Sequence, residues 1–227
     1  MFDFRFYEIW RSEEFIQVLI EGAFNSFWLT SLGGILGFIL GIGLALLQNK
    51  SIFIGFRLLA RSYVEVIRNT PFVVQMFFVA FGLPILLDMQ WSFFTSALLA
   101  IMLNFSAYFS EIIRSGIDST PKGQIEAAYS LGFKKYHLVK DIILPQALEK
   151  VYPSLVSQFV FLFLTTGLIS EIGVEDITWA GRFISDRNFR DFEVYLLLSA
   201  IYMTMSWLFI LILNGCRRKF FPWGATK

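Results

Sequence analysis

The sequence predicts an all-α membrane protein with five transmembrane helices, and three observations carry that prediction. First, its 227 residues are 56% hydrophobic and only 16% charged, where an average soluble domain is about a quarter charged. Second, five windows contain no Asp, Glu, Lys or Arg: 22–49, 69–87, 89–110, 151–170 and 194–216. A helix rising about 1.5 Å per residue needs about 20 apolar residues to cross a hydrocarbon core about 30 Å thick, and every window meets that need. Third, the windows neither alternate polar and apolar residues, as barrel strands would, nor carry the polar face of a soluble helix. In lipid only helices and closed barrels satisfy all backbone groups, so helices remain.

The basic residues give the orientation. With alternating spans, fourteen of the 19 Lys and Arg fall on the side that holds residues 50–68, 114–150 and 217–227. Only Arg5, Arg11, Arg182, Arg187 and Arg190 fall on the other. The side rich in Lys and Arg is the cytoplasm. The N-terminus is therefore expected outside with Ser185, and Ser51, Ser130 and the C-terminal tail inside. Up to Glu21 the chain carries more acid than base, so it does not read as the basic start of a cleaved signal peptide.

Residues 1–21 mix Phe2, Phe4, Phe6 and Trp10 with Asp3, Glu8, Glu13 and Glu14, and are read as an interfacial segment leading into the first span. Ser12 suits a helix N-cap, and two glutamates suit the positive end of the dipole. In span one, Gly33, Gly37 and Gly41 recur every four residues. That spacing fits a close helix–helix seam, although membrane helices also tolerate glycine without one. Before span two, Arg68-Asn69-Thr70-Pro71 marks a kink or a helix start, because proline removes a backbone hydrogen bond. Gly82-Leu83-Pro84 is expected to end that span. Span three carries Asn104, and at its inner end Glu111 and Arg114 stand i,i+3 and are expected to pair.

The connection from 114 to 150 is the most informative stretch. Thr120-Pro121 reads as an N-cap and first helical position, opening a short helix to Leu131. Gly132 suits the left-handed residue that closes it. A second short helix is expected from Lys134 towards Leu144, with Leu138, Val139, Ile142 and Ile143 on one face and Pro145 ending it. Such a pair makes a knob on the cytoplasmic surface or lies on lipid headgroups, and pattern alone does not choose between them.

Composition also excludes functions. A net charge of +1 argues against a nucleic-acid partner. Cys216 is the sole cysteine and His137 the sole histidine, so no disulfide framework and no metal cluster of Cys or His is possible. There is no nucleophile–base set and no Gly-x-x-x-x-Gly-Lys-Ser/Thr loop, so neither catalysis nor ATP binding is expected of this chain.

Glu126-Ala127-Ala128, three residues, Gly132, nine residues, Ile142, one residue and Leu144-Pro145 together resemble the EAA loop of type I ABC importer permeases. The segments Tyr108-Phe109-Ser110-Glu111, Thr120-Pro121-Lys122-Gly123-Gln124 and Phe192-Glu193-Val194-Tyr195 resemble the polar amino-acid branch of that family. The resemblance covers roughly residues 20–215. It implies a type I transmembrane domain over 22–216, a coupling loop over 120–145 and a cytoplasmic tail over 217–227, in a bacterial inner membrane. It implies as partners a second permease, either a sister chain or a second copy, two ATP-binding cassette subunits carrying ATP and Mg, and an extracytoplasmic amino-acid-binding protein. Glu126, Ala127, Ala128, Gly132, Ile142, Leu144 and Pro145 would form the ATPase-coupling site. Thr165, Thr166, Glu171, Gln75 and Asn104 would lie along the substrate pathway.

The chain departs from its relatives in span four. Where many amino-acid permeases have a Lys, an Asp or Asn, then Thr-Ser, this chain has Leu164, Thr165, Thr166 and Gly167. Two candidate partners for a charged solute are thus absent. The alternatives are a permease for another small polar solute, or a channel or scaffold subunit without nucleotide coupling.

Overall fold

The computed structural model describes residues 4–48 and 53–221, and these are helical with no strand among them. Lys50, Ser51, Lys227, Phe2 and Asp3 lie outside the described residues. One turn, α1 (Tyr7–Trp10), buries Ile9 and precedes α2 (Glu13–Leu47). Ser12 caps α2 as expected: its Oγ accepts the Phe15 N–H at 3.4 Å, with Glu13 and Glu14 in the first turn. The helix thus starts at Glu13 rather than at residue 22, and the second part of the expected interfacial segment forms its first turns. Its 35 residues span about 52 Å, more than hydrocarbon alone requires.

α2 lies along α6 (Phe93–Asp118), and the three spaced glycines form the seam. A Cβ on Gly33 would stand 2.6 Å from Ile101 Cγ2, on Gly37 3.2 Å from the Met102 carbonyl, and on Gly41 2.8 Å from Phe109 Cβ. The backbones approach where a side chain would hold them apart. α6 is the hub of the bundle. Its most apolar stretch is 61% buried, against 11% for α11 (Asp191–Phe220), which lies at the edge of the bundle.

α3 (Ile54–Arg68) is amphipathic and meets the next helix at a 108° bend. Pro71 is the N-cap of α4 (Phe72–Phe77), so the break falls where proline placed it. Gly82-Leu83-Pro84, however, does not end the span. A π turn over Phe78–Gly82 leads into α5 (Leu83–Leu87), and the helix stops only at Asp88, in the left-handed region at φ 51. Pro84 has no N–H to give the preceding turn; the widened turn before it accommodates that loss without breaking the helix.

Pro145 repeats this pattern and overturns a second expectation. α7 (Lys122–Ser130) is followed by α8 (Lys135–His137), a π turn over Leu138–Ile143 and α9 (Leu144–Thr165). The second cytoplasmic helix therefore runs on into span four, and Pro145 stands second in α9 after a π turn, as Pro84 does in α5. Thr120 is not the N-cap either. Pro121 takes that position, and Thr120 Oγ1 is buried without a partner.

α9 tightens into a 3-10 segment, Thr166–Ile172, which ends at Gly173 with φ 84. The region expected as an outer loop then holds a further helix, α10 (Ile177–Asn188). Its Ile177, Ala180 and Ile184 are buried with Leu19, Phe163, Leu198 and Phe209. Ser185, expected outside and accessible, is only 5% exposed and donates to Asp191. Four helical stretches are long and apolar enough to cross a membrane: Glu13–Leu47, Phe93–Asp118, Lys135–Ile172 and Asp191–Phe220. The bent pair of α3 with Phe72–Leu87 makes the fifth of the expected crossings.

Candidate functional site

The hairpin between α6 and α9 is built from two short helices that share one small core. Ala128, Leu138 and Ile143 are buried together, with Ile117, Ile125, Val139 and Ile142 packed around them. Ile117 belongs to α6 and Ile143 leads into α9, so the knob is joined rigidly to two spans. Gly132 turns the chain at φ 79. The Phe133 N–H donates to the Ala128 carbonyl and the Gly132 N–H to the Tyr129 carbonyl, at 3.1 and 3.0 Å. This pair of bonds is the Schellman closure that a left-handed residue permits.

The expected coupling residues separate into two groups. Glu126, Ala127 and Gly132 are on the surface, and the Glu126 carboxylate makes no ion pair among the described residues. Ala128 and the half-buried Ile142 shape the hairpin core. Leu144 and Pro145 belong to the first turn of α9 and face an apolar groove between spans. The sequence reading missed the tip itself. Leu131 is 78% and Tyr136 65% exposed, with Tyr129 and Phe133 beside them. The available signal was an aromatic or leucine on both sides of the turn glycine, where a solvated loop would be polar.

The expected pathway residues are each committed within the fold. Gln75 Nε2 donates to the Ile67 carbonyl at 2.7 Å, and its Oε1 accepts from Asn104 Nδ2 at 2.7 Å. Together they hold the break at Pro71 against α6, serving a carbonyl that proline leaves without its helical donor. Thr165 Oγ1 donates to the Phe161 carbonyl at 2.8 Å, and Thr166 Oγ1 to the Phe163 carbonyl at 2.6 Å, each back to its own helix. Glu171 pairs with Arg182, whose Nη2 also donates to Ser170 Oγ at 2.6 Å. No hydrogen bond joins the Thr165–Glu171 stretch to Gln75 or Asn104 among the described residues.

A charged cluster sits where α6 leaves the span. Arg114 holds Glu111 through two bonds of 3.0 and 2.9 Å, the expected i,i+3 pair. Arg68, at the end of α3, reaches the same carboxylate at 3.1 Å and lies 5.7 Å from the Tyr108 ring centre. The pair therefore also ties α3 to α6, which local spacing did not reveal. His137 contacts Asp141 one turn on, at 3.0 Å, on the exposed hairpin surface. No group of His, Cys, Asp and Glu able to hold a metal occurs among the described residues.

Residues 33–223 match the family of the binding-protein-dependent transport system inner membrane component. The chain belongs to that family. Among its relatives, the glutamine transport system permease protein GlnP of Escherichia coli K12 is 34% identical over 205 residues, covering 90% of this chain and 93% of the relative. The arginine transport system permease protein ArtQ of Bacillus subtilis is 34% identical over 204 residues, with the same coverages. A crystal structure of an amino acid ABC transporter superposes with a TM-score of 0.83 at 32% identity, over 96% of this chain and 100% of the other. The inward-facing MetNI methionine transporter shares the fold, at a TM-score of 0.77 and 15% identity, over 92% and 99% of the two chains. Family membership agrees with the five crossings and with the hairpin between α6 and α9.

At the end of the bundle away from the hairpin, sequence reading missed a buried acid that caps α10. Asp176 is fully buried, and its Oδ1 accepts the Trp179 N–H at 2.8 Å. Burial pushes its carboxyl from the ordinary value up to about 7, against the lowering effect of its backbone hydrogen bonds and of Arg182. The signal was an Asp three residues before a tryptophan, just ahead of an apolar run.

Proposed function

We propose that this chain is the permease subunit of an ATP-driven importer for a polar amino acid, and that its hairpin is the docking point for a separate ATPase. One observation carries the coupling: a rigid knob, joined to α6 and α9, presents Leu131, Tyr136, Tyr129 and Phe133 to the cytoplasmic side. Apolar surface on a soluble-facing knob is stabilised by a protein partner that covers it. Glu126 adds an unpaired charge beside this surface, and Ala127 leaves room for close approach. Movement of the ATPase would be transmitted through the hairpin core into two spans at once. Access would then alternate because the two states bind the ATPase differently.

Its glutamine- and arginine-permease relatives support an amino acid as the solute. A second permease, as sister chain or second copy, and an extracytoplasmic binding protein complete the assembly. The commitment of Thr165, Thr166 and Glu171 to partners within this chain favours one version of it. This subunit is then the weakly binding half of a heterodimer, with charged groups for the solute in the sister chain. Thr165→Val and Thr166→Val should leave solute affinity nearly normal in that case. A clear loss would instead place the solute against this chain's own span four.

The coupling is tested by affinity purification of the chain from its native membrane in mild detergent. An ATPase should co-purify, and Tyr136→Glu and Glu126→Lys should lose it while the chain remains inserted. A wild-type chain that brings down no ATPase would leave a channel or scaffold as the better description.

A further inference from the structure

An apolar groove of about 760 Å³ opens between α2, α9 and α11. Phe38, Leu148, Leu155, Phe159, Phe209 and Leu213 are among the residues that line it. α2 and α9 come close together in its wall at Gly34, where a Cβ would stand 2.3 Å from the Phe159 ring. Its polar lining is limited to Ser31, Cys216 and Tyr152, and the Tyr152 hydroxyl already donates to the Leu213 carbonyl at 2.5 Å. Such a surface offers nothing to an amino acid, whose charges would go unmatched. It would also not hold water, which requires several polar partners.

The groove lies along membrane-spanning helices and is open at one side, where Ile35 and Ile212 are exposed. The medium at that depth is acyl chain. At the cytoplasmic mouth, where Leu144, Pro145, Phe220 and Phe221 line it, the charge is strongly basic. The Arg217 guanidinium stands 5.9 Å from the centre of the Tyr152 ring, and Arg218 and Lys219 follow in the same turn. Among the described residues none of these three has a carboxylate at ion-pairing distance. Cations at the cytoplasmic end of a pocket between spanning helices match the phosphate of an anionic lipid, and an apolar slot beneath them matches its chain.

We propose that this groove binds an anionic phospholipid, with one acyl chain between α2, α9 and α11 and its phosphate at Arg217. The site is distinct from the hairpin surface and from the Thr165–Glu171 stretch, and does not depend on which solute is carried. The test uses the full chain, purified with the subunits that accompany it and stripped of native lipid. It is incubated with dioleoylphosphatidylglycerol or dioleoylphosphatidylcholine, and retained lipid is counted by native mass spectrometry. The wild type should retain phosphatidylglycerol preferentially. Arg217→Ala should cut that retention about fivefold, and Arg217→Ala with Arg218→Ala further, since each basic residue near an anionic surface contributes a factor of about five. Phosphatidylcholine should be unaffected by either. Ile212→Trp, which fills the slot from its exposed side, should abolish retention of phosphatidylglycerol with little effect on thermal stability. Equal retention of the two lipids by the wild type would overturn the proposal. So would unchanged phosphatidylglycerol in Ile212→Trp, or a crosslink from position 212 to a second permease, which would make the groove a protein interface.

Discussion

Asp176 shows how one side chain can set a dependence on pH. It is the N-cap of α10, and its carbonyl side faces α2 so closely that a Cβ on Gly22 would stand 2.7 Å from it. Enclosure disfavours the charged carboxylate, so the native acid titrates near 7 where an unfolded one titrates near 3.8. Between those values the folded chain holds a proton that the unfolded chain has lost. The contribution of Asp176 to stability is therefore fully present at low pH and declines as pH rises towards about 7, by about 1.4 kcal/mol per unit while the two states differ. Asp176→Asn keeps the cap and removes the titration. Thermal unfolding in detergent at about pH 5 and about pH 8 should show a fall for the wild type and a smaller one for the variant. Gly132 makes a different demand. Nothing lies within 4 Å of where its Cβ would be, so its φ of 79 is the whole constraint. Gly132→Val should cost about 1–2 kcal/mol of turn stability and uncouple ATP hydrolysis from solute, whereas Gly132→Asn, which tolerates this region, should do little.

Among the elements, the α2–α6 seam is the most exacting contact. Gly41 meets Phe109 Cβ and the Ser106 carbonyl, while Gly43, two residues on, meets nothing within 4 Å. Gly41→Leu should lower the detergent melting temperature, by an overpacking cost of about 1–3 kcal/mol, and Gly43→Leu should not. Equal effects would mean that glycine content, rather than the seam, matters. The same helices show why the span boundaries were misread. Proline predicts a break from local chemistry, and at Pro71 it makes one. At Pro84 and Pro145 a π turn precedes the proline, and the surrounding helices hold the axis continuous. Local sequence carries no clear mark of such a turn, because what stabilises it is packing against α6 and α7.

For the molecule as a whole, orientation is the property that most needs measurement. The bias of Lys and Arg places the hairpin inside and α10 outside. The test is accessibility of single cysteines, in a Cys216→Ala background, to an impermeant thiol reagent on intact cells. Ser130→Cys, on the exposed hairpin, should stay unlabelled until the membrane is opened. Ser185 is too buried to report, so Asp186→Cys, its exposed neighbour on α10, should label from outside. The reverse result would overturn both the topology and the docking role of the hairpin.

Much of this architecture was legible in the chain. Charge-free windows located the spans, because hydrocarbon excludes charge irrespective of what the helices touch. Gly132 and Ser12 marked a helix end and a helix start, because capping is decided within a few residues. The Glu126 to Pro145 spacing pointed to the family that residues 33–223 match. What only the tertiary structure decided depends on distant neighbours. Gln75 and Asn104 read in the sequence only as pathway groups, and the structure adds that they stand 2.7 Å apart and brace the bend at Pro71. Glu111 looked like half of a local pair until Arg68 reached it from another helix. Asp176 went unremarked in the sequence, because what buries it is the closing of α2, α10 and α11 around it. A side chain's partners, and hence its charge and its role, are set by which helices pack together, and that arrangement follows from shape complementarity across the bundle rather than from spacing along it.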